Sequence, residues 1–379
     1  MEFKEIIKFI KSNYNSQKTI HLHEPVFRGN EKKYINEAID STFVSSIGKY
    51  VDRAELMISN LIGTKNSTAV VNGTSGIQVA LQLAGVKEGD EVLTQALTFV
   101  ATSNAILYNK ANPVFIDVDL DTMGLSAKYV EAFLDENGDL RDDGCYNLSS
   151  GNKISACLPV HTFGFPVHLD ELIKVCQKWK IPIVEDAAES LGSSYKGIAT
   201  GSFGKLGVFS FNGNKIVTSG GGGMITTNNK LLGKKAKHLT TTAKVPNILD
   251  FKHDQLGFNF RMPNLNAALL CAQLEQLDYF LKSKRKLAKM YDEFFFKKGI
   301  VFRKETKNTK SNYWLMCVEL ENKLEKESFL KRTNRNNINC RPIWDLMFTL
   351  PMHKNFQRDE QKNAKFLVDR IVNIPSGVR

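Results

Sequence analysis

The sequence lacks the features of several protein classes. No apolar run reaches the roughly 18 residues that a membrane-spanning helix requires, so no membrane partner is expected. The stretch "MEFKEIIKFIKSNYNSQK" at the start carries charges throughout and has no long apolar centre or small-residue cleavage site, so no signal peptide is read there. The six cysteines (Cys145, Cys157, Cys176, Cys271, Cys317 and Cys340) are scattered, with no C-x-x-C pair. That excludes a zinc-type ligand spacing and suits reduced, structural thiols, so the cytoplasm is the expected compartment and no metal is expected. Internal repeats, low-complexity tracts and nucleic-acid-binding motifs are also missing. No Gly-Lys-Ser/Thr closes any glycine turn, which excludes a Walker A loop.

What remains is a chain of 379 residues, 42% hydrophobic and 24% charged, in the range of ordinary globular proteins. Its length allows two domains, each with its own core. The net charge of +11 is compatible with an anionic substrate but does not identify one. The densest basic run, residues 282–298, is interleaved with apolar residues and reads as a solvated helix face.

Between residues 67 and 227 short apolar runs alternate with helix-like segments. Strands are expected at 67–71, 90–96, 112–119, 153–161 and 181–188, and helices at 75–86, 99–109 and 169–179. This alternation predicts an α/β fold, with a mainly parallel sheet covered on both faces and ligands at the carboxyl ends of its strands. The polar stretch 134–153 reads as a surface excursion. Residues 262–295 have a helical period and read as one long helix leading into a smaller α+β domain. The expected division is a large domain at 1–245 and a small domain at 246–379.

Four pieces at strand ends carry candidate chemistry. In "VVNGTSGIQVAL" (70–81) a strand runs into Asn72-Gly73-Thr74-Ser75-Gly76 and a helix, a turn that either simply caps the helix or binds phosphate. In "IPIVEDAAES" (181–190) a strand delivers Glu185 and Asp186, with Glu189 three residues on. Asp186 suits a metal ligand, a base, the partner of a cation such as a protonated pyridine nitrogen, or a plain helix cap. In "VFSFNGNKIVTSGGGGMITT" (208–227) Lys215 lies between an aromatic-rich run and four glycines. An amine attacks a carbonyl only when neutral, and burial favours that form; the apolar run and glycine packing are read as that setting. A solvated lysine is the alternative. Ser210 and Asn214 are placed to orient phosphate or substrate. In "QALTFVATSNAI" (95–106) Phe99 opens a helix, either as a core residue or as a face for an aromatic ring.

The order and spacing of these pieces resemble the DegT/DnrJ/EryC/StrS-type sugar aminotransferases, enzymes of the aspartate-aminotransferase fold (fold type I) that use pyridoxal 5'-phosphate. The resemblance covers nearly the whole chain and includes "STFVSSIGKYVDRAE" (41–55), "LPVHTFGFPVHLDEL" (158–172), "GFNFRMPNLNAALLCAQL" (257–274), "RPIWDLMFTLPMH" and "IVNIPS". It implies that Lys215 anchors the cofactor covalently and shuttles a proton, and that Asp186 pairs with the pyridinium nitrogen. It further implies that Glu189 lies at the ring hydroxyl, Phe99 stacks on the ring, and His161 lies beside it. Thr74, Ser75 and Ser210 hold the phosphate, and Asn259 reaches it from a neighbouring subunit, so the implied unit is a homodimer with shared active sites.

Glu189 in "EDAAES" resembles enzymes that aminate C4 of nucleotide-linked 4-keto-6-deoxy sugars, such as perosamine synthases. The N-terminal segment looks closest to the 4-aminotransferases of legionaminic-acid-type pathways (LegC-like), which serve surface-glycan biosynthesis. The implied substrates are L-glutamate and a UDP- or GDP-linked 2-acetamido-4-keto sugar. Lysine at 215, where related dehydratases carry histidine, favours transamination. Two departures stand out: Ala54 takes the place of the usual Phe, and "SGGGG" replaces the commoner "TGEGG". Arg28, Asn30 and Lys49 are candidates for contacts to the sugar nucleotide or for plain solvated residues.

Overall fold

The computed structural model describes residues 3–14, 19–247 and 249–379. Among the described residues seven strands form the central sheet: β1 (Asn66–Val70), β2 (Glu91–Gln95), β3 (Asn112–Ile116), β4 (Lys153–Leu158), β5 (Val184–Asp186), β6 (Leu206–Ser210) and β7 (Gly223–Thr227). Parallel ladders join β3 to β2, β2 to β4 and β5 to β6. The seam between β4 and β5 is closed by the parallel bridges Cys157–Ile183 and Val160–Asp186. There the Asp186 N–H donates to the Pro159 carbonyl at 2.9 Å, and the His161 N–H donates to the Asp186 carbonyl at 3.2 Å. Strand β7 lies antiparallel between β6 and β1. The spatial order is therefore β3-β2-β4-β5-β6-β7-β1, parallel except for β7. Strands covered on both faces should be apolar throughout, and Leu93, Phe115, Ile116, Leu158, Val184 and Val208 are fully buried.

The shortest strand carries the most charge. Glu185 and Asp186 are both buried on β5, and a buried carboxylate is tolerated only when hydrogen-bonded. Glu185 accepts the N–H groups of Phe203 (2.7 Å), Gly204 (2.8 Å) and Gly201 (2.8 Å), and faces His161 Nε2 at 3.1 Å. Its carboxylate is thus an internal tie between β5 and the loop that enters β6.

Residues 262–295 do not form one helix. They form Asn264–Leu274 and Leu277–Phe296, broken at Glu275 and Gln276. At that joint Glu275 accepts from Tyr34 Oη (2.7 Å), Arg53 Nη2 (2.6 Å) and Asn30 Nδ2 (2.8 Å). The apolar period runs through the joint, whereas the tertiary hydrogen bonds that mark it come from residues far away in sequence. The expected excursion at 134–153 contains an antiparallel hairpin, Gly138–Arg141 with Gly144–Asn147, which extends the sheet beside the start of β4.

After residue 300 an antiparallel sheet of Val301–Phe302, Met316–Glu319, Ile371–Ile374 and Arg341–Pro342 is accompanied by the helix Lys323–Arg335. The first helix, Lys4–Tyr14, packs on this side of the molecule. Phe9 stacks on Phe294 at 3.9 Å, and Phe3 meets Phe329 edge-on at 5.1 Å.

Candidate active site

A cavity of about 770 Å³ opens at the carboxyl ends of β1, β5 and β6, and the C-terminal part of the chain closes one side of it. Asn72, Gly73 and Thr74 line it from the turn after β1, and Ser210 lines it from the end of β6. The turn leads into the helix Gly73–Ala84, where the Asn72 side chain accepts the Ser75 N–H at 2.8 Å. The first turn of a helix offers N–H groups without intrahelical partners and a partial positive charge. Ser75 itself is not on the cavity wall.

Asp186 lies on the cavity wall and is almost wholly buried. Thr102 Oγ1 donates to its Oδ2 at 2.7 Å and the Ala188 N–H to its Oδ1 at 3.2 Å. Burial pushes its carboxyl above the ordinary value, and the Thr102 hydroxyl partly offsets this. Thr102 went unnoticed in the sequence, although it lies three residues after Phe99 on the helix Val100–Tyr108, a spacing that shares a face.

Lys215 reaches the same cavity with its side chain 12% exposed. Its Nζ lies 3.4 Å from Glu189 Oε1 and 3.8 Å from the centroid of the Trp314 ring. Glu189 also accepts the Phe163 N–H at 2.8 Å, and burial raises its carboxyl to about 7. The expected setting of Lys215 is corrected here. Its neighbours are a carboxylate and an indole face, both of which attract a cation, while of the glycine run Gly222 lines the same cavity and Gly220 and Gly223 serve the backbone turn. Gly220 adopts φ +77°, and Gly223 abuts the backbone of Asn72 and Gly73.

Phe99 is 53% exposed on the cavity wall, with Trp344 6.4 Å away and Phe163 beyond it, 4.8 Å from Trp344. Neither Trp314 nor Trp344 carries a sequence signal linking it to Lys215. His161 is buried off the cavity wall: Nδ1 accepts the Val167 N–H at 3.3 Å and Nε2 faces Glu185. With Nδ1 accepting, Nε2 is the ring nitrogen left to donate to Glu185. Asn259 is exposed, bridged to Thr241, and away from the cavity of its own chain. Arg28 sits on the Tyr279 ring, Asn30 on Glu275 and Lys49 on Glu37, and none of the three lines the cavity.

The profile of the DegT/DnrJ/EryC1/StrS aminotransferase family matches residues 25–379. The chain belongs to this family. Among curated aminotransferase relatives it is 38% identical over 336 residues to the putative pyridoxal phosphate-dependent aminotransferase EpsN of Bacillus subtilis, covering 88% of this chain and 84% of that one. It is 33% identical over 359 residues to GDP-perosamine synthase of Escherichia coli O157:H7, covering 95% and 93%. The crystal structure of the aminotransferase TlmJ from Streptoalloteichus hindustanus shares the fold with a TM-score of 0.85 at 22% identity, over 94% of this chain and 93% of that one. Among the described residues no helix is long and apolar enough to cross a membrane.

Proposed function

We propose that this aminotransferase moves an amino group from L-glutamate to C4 of a nucleotide-linked 4-keto-6-deoxy sugar, with pyridoxal 5'-phosphate as cofactor. The observation that carries the reading is the convergence of Lys215, Asp186 and Glu189 on one cavity beside a helix N-terminus. These residues fit the cofactor. Asp186 is a buried carboxylate with no cationic side chain in contact among the described residues, suited to a protonated ring nitrogen. The first turn of the helix Gly73–Ala84, with Thr74 and Ser210, suits a phosphate. Ser75 is assigned there through the same turn, Phe99 as the face for the ring, and His161 as support behind it through Glu185.

When bound, pyridoxal phosphate supplies an electron sink for bond cleavage at the amine-bearing carbon. Asp186 holds the ring nitrogen in its cationic form. Lys215 would be the covalent anchor, and its Nζ would take and return the proton at the amine-bearing carbon. Glu189 orients that amine.

The sugar is proposed to be a UDP- or GDP-linked 2-acetamido-4-keto sugar bound for a legionaminic- or bacillosamine-type surface glycan. The relatives named GDP-perosamine synthase favour a second reading, in which the acceptor is a GDP-linked 4-keto-6-deoxymannose. We also propose a homodimer in which Asn259 serves the partner's site, in line with exposed apolar residues such as Phe251 and Leu256 in the preceding loop. The division into domains at residue 245 is proposed likewise, with the first helix crossing to the C-terminal side.

The test is an absorption spectrum of the protein loaded with pyridoxal phosphate, with and without glutamate, beside Lys215→Ala. A visible band that glutamate removes, and that the variant lacks or shows altered, is the expected result. Wild-type protein without such a band would overturn the reading. A band untouched by glutamate would point instead to a dehydratase or a non-catalytic protein.

A further inference from the structure

We infer that Trp314 is a positioning residue for Lys215: its indole and the Glu189 carboxylate form a two-sided cradle for the free amine, and Asn312 ties the two sides together. The inference rests on the reading of Lys215 as the working lysine.

A lysine side chain is long and rotamer-rich, yet a proton-shuttling amine must stay beside the cavity whenever it is released. The two groups that touch Nζ come from different parts of the chain. Glu189 Oε1 lies at 3.4 Å and the Trp314 ring centroid at 3.8 Å. The indole is held at its Nε1, and the backbone that carries it is held at two further points. Its Nε1–H donates to the Asn214 carbonyl at 2.7 Å, directly beside Lys215 in the chain. The Trp314 N–H donates to Asn312 Oδ1 at 2.8 Å. The Trp314 carbonyl accepts from Lys284 Nζ at 3.2 Å, a fully buried amine with no carboxylate in contact among the described residues.

Asn312, wholly buried, reaches the other side of the cradle. Its Nδ2 donates to the backbone carbonyls of Glu189 (2.8 Å) and Leu191 (2.9 Å). Gly164, at φ +95°, leaves room for its Oδ1, since a Cβ there would lie 1.9 Å away. One side chain therefore sets the distance between the segment bearing the indole and the segment bearing the carboxylate. A cation over an aromatic face is attracted to it, so Trp314 restrains the amine without hydrogen-bonding it and leaves its lone pair free once the proton has gone.

The test uses Trp314→Leu and Trp314→Phe in the cofactor-loaded protein and in the full chain without cofactor. In the loaded protein the rate of glutamate-driven bleaching should fall roughly tenfold or more in the Leu variant, because a misplaced reacting group is costly. Half-saturating glutamate should stay within about twofold, and the Phe variant should lie between Leu and wild type, since it keeps a ring face. In the cofactor-free chain, a double-mutant cycle of Trp314→Leu with Lys215→Met should show coupling of roughly fivefold in the unfolding equilibrium constant. If the Leu variant does not fold, Trp314→Met takes its place.

Coupling near unity would overturn the inference. A change in half-saturation at unchanged rate would also overturn it, making Trp314 a substrate contact instead. Glutamate-driven bleaching that survives in Lys215→Met would defeat the functional reading while leaving the coupling measurement to stand alone.

Discussion

The glycine run after Lys215 separates two backbone roles that a pair of substitutions can resolve. Gly223 opens β7 and pairs with both Val70 and Ser210. A Cβ placed on it would lie 2.7 Å from the Asn72 carbonyl carbon, 2.8 Å from the Asn72 oxygen and 2.9 Å from the Gly73 nitrogen. All three are main-chain atoms, so no rotamer change relieves the contact, and the start of the helix Gly73–Ala84 must shift. Overpacking of this kind costs about 1–3 kcal/mol. The strain falls on the turn assigned to the phosphate, so Gly223→Ala should weaken pyridoxal phosphate binding by roughly tenfold to a hundredfold. Gly221 is the control. Its nearest neighbour would be the Val71 carbonyl oxygen at 3.9 Å and its backbone is not left-handed, so Gly221→Ala should change affinity by less than about twofold. Cofactor titration by absorbance measures both effects, and thermal melting of the cofactor-free chains separates a local shift from general destabilisation. Equal effects of the two substitutions would refute the argument. So would a Gly223→Ala protein that melts earlier but binds cofactor normally.

Two further outcomes follow from the buried acids on and after β5. Glu185→Gln turns an NH₂ group toward donors whichever way the amide faces, since each carboxylate oxygen meets two of them. Denaturant unfolding should show a loss of about 3–5 kcal/mol, and a loss below about 1 kcal/mol would contradict the assignment. Glu189 titrates at about 7 in the folded chain, above its ordinary 4.5, because burial disfavours its charge. Its contribution to stability is complete below pH 4.5 and is lost as pH rises through about 7. The cofactor-free wild type should therefore lose roughly 3 kcal/mol relative to Glu189→Gln across that window. A stability difference independent of pH, read from paired melts at pH 4.5 and 7.5, would show that Glu189 is not held in this way.

The strand ends were legible because apolar runs stop where polar turns begin, and Asp186, Glu189, Thr74 and Ser210 all follow such stops. The strand order was not, because β4 pairs with β2 and β5 across long stretches of sequence and β7 runs against its neighbours. Periodicity likewise predicted a single helix where Glu275, held by Tyr34, Arg53 and Asn30, marks a joint. Within the site the same division recurs at the scale of single side chains. Thr74 and Ser75 are consecutive and chemically alike, yet successive helical positions point about 100° apart, and only Thr74 lines the cavity. His161 follows a strand end as expected, but the Val167 N–H and Glu185 occupy both its nitrogens. Lys215 is the sharpest case. The local run "VFSFNGNK" suggests an apolar setting, whereas its amine lies between Glu189 and Trp314, which share no period or spacing with it. A strand end tells which residues arrive at a site. The groups that then hold an amine or orient a ring come from the packing of distant segments, and here Asn312, anchored to Glu189 and Trp314 at once, brings two of those segments together.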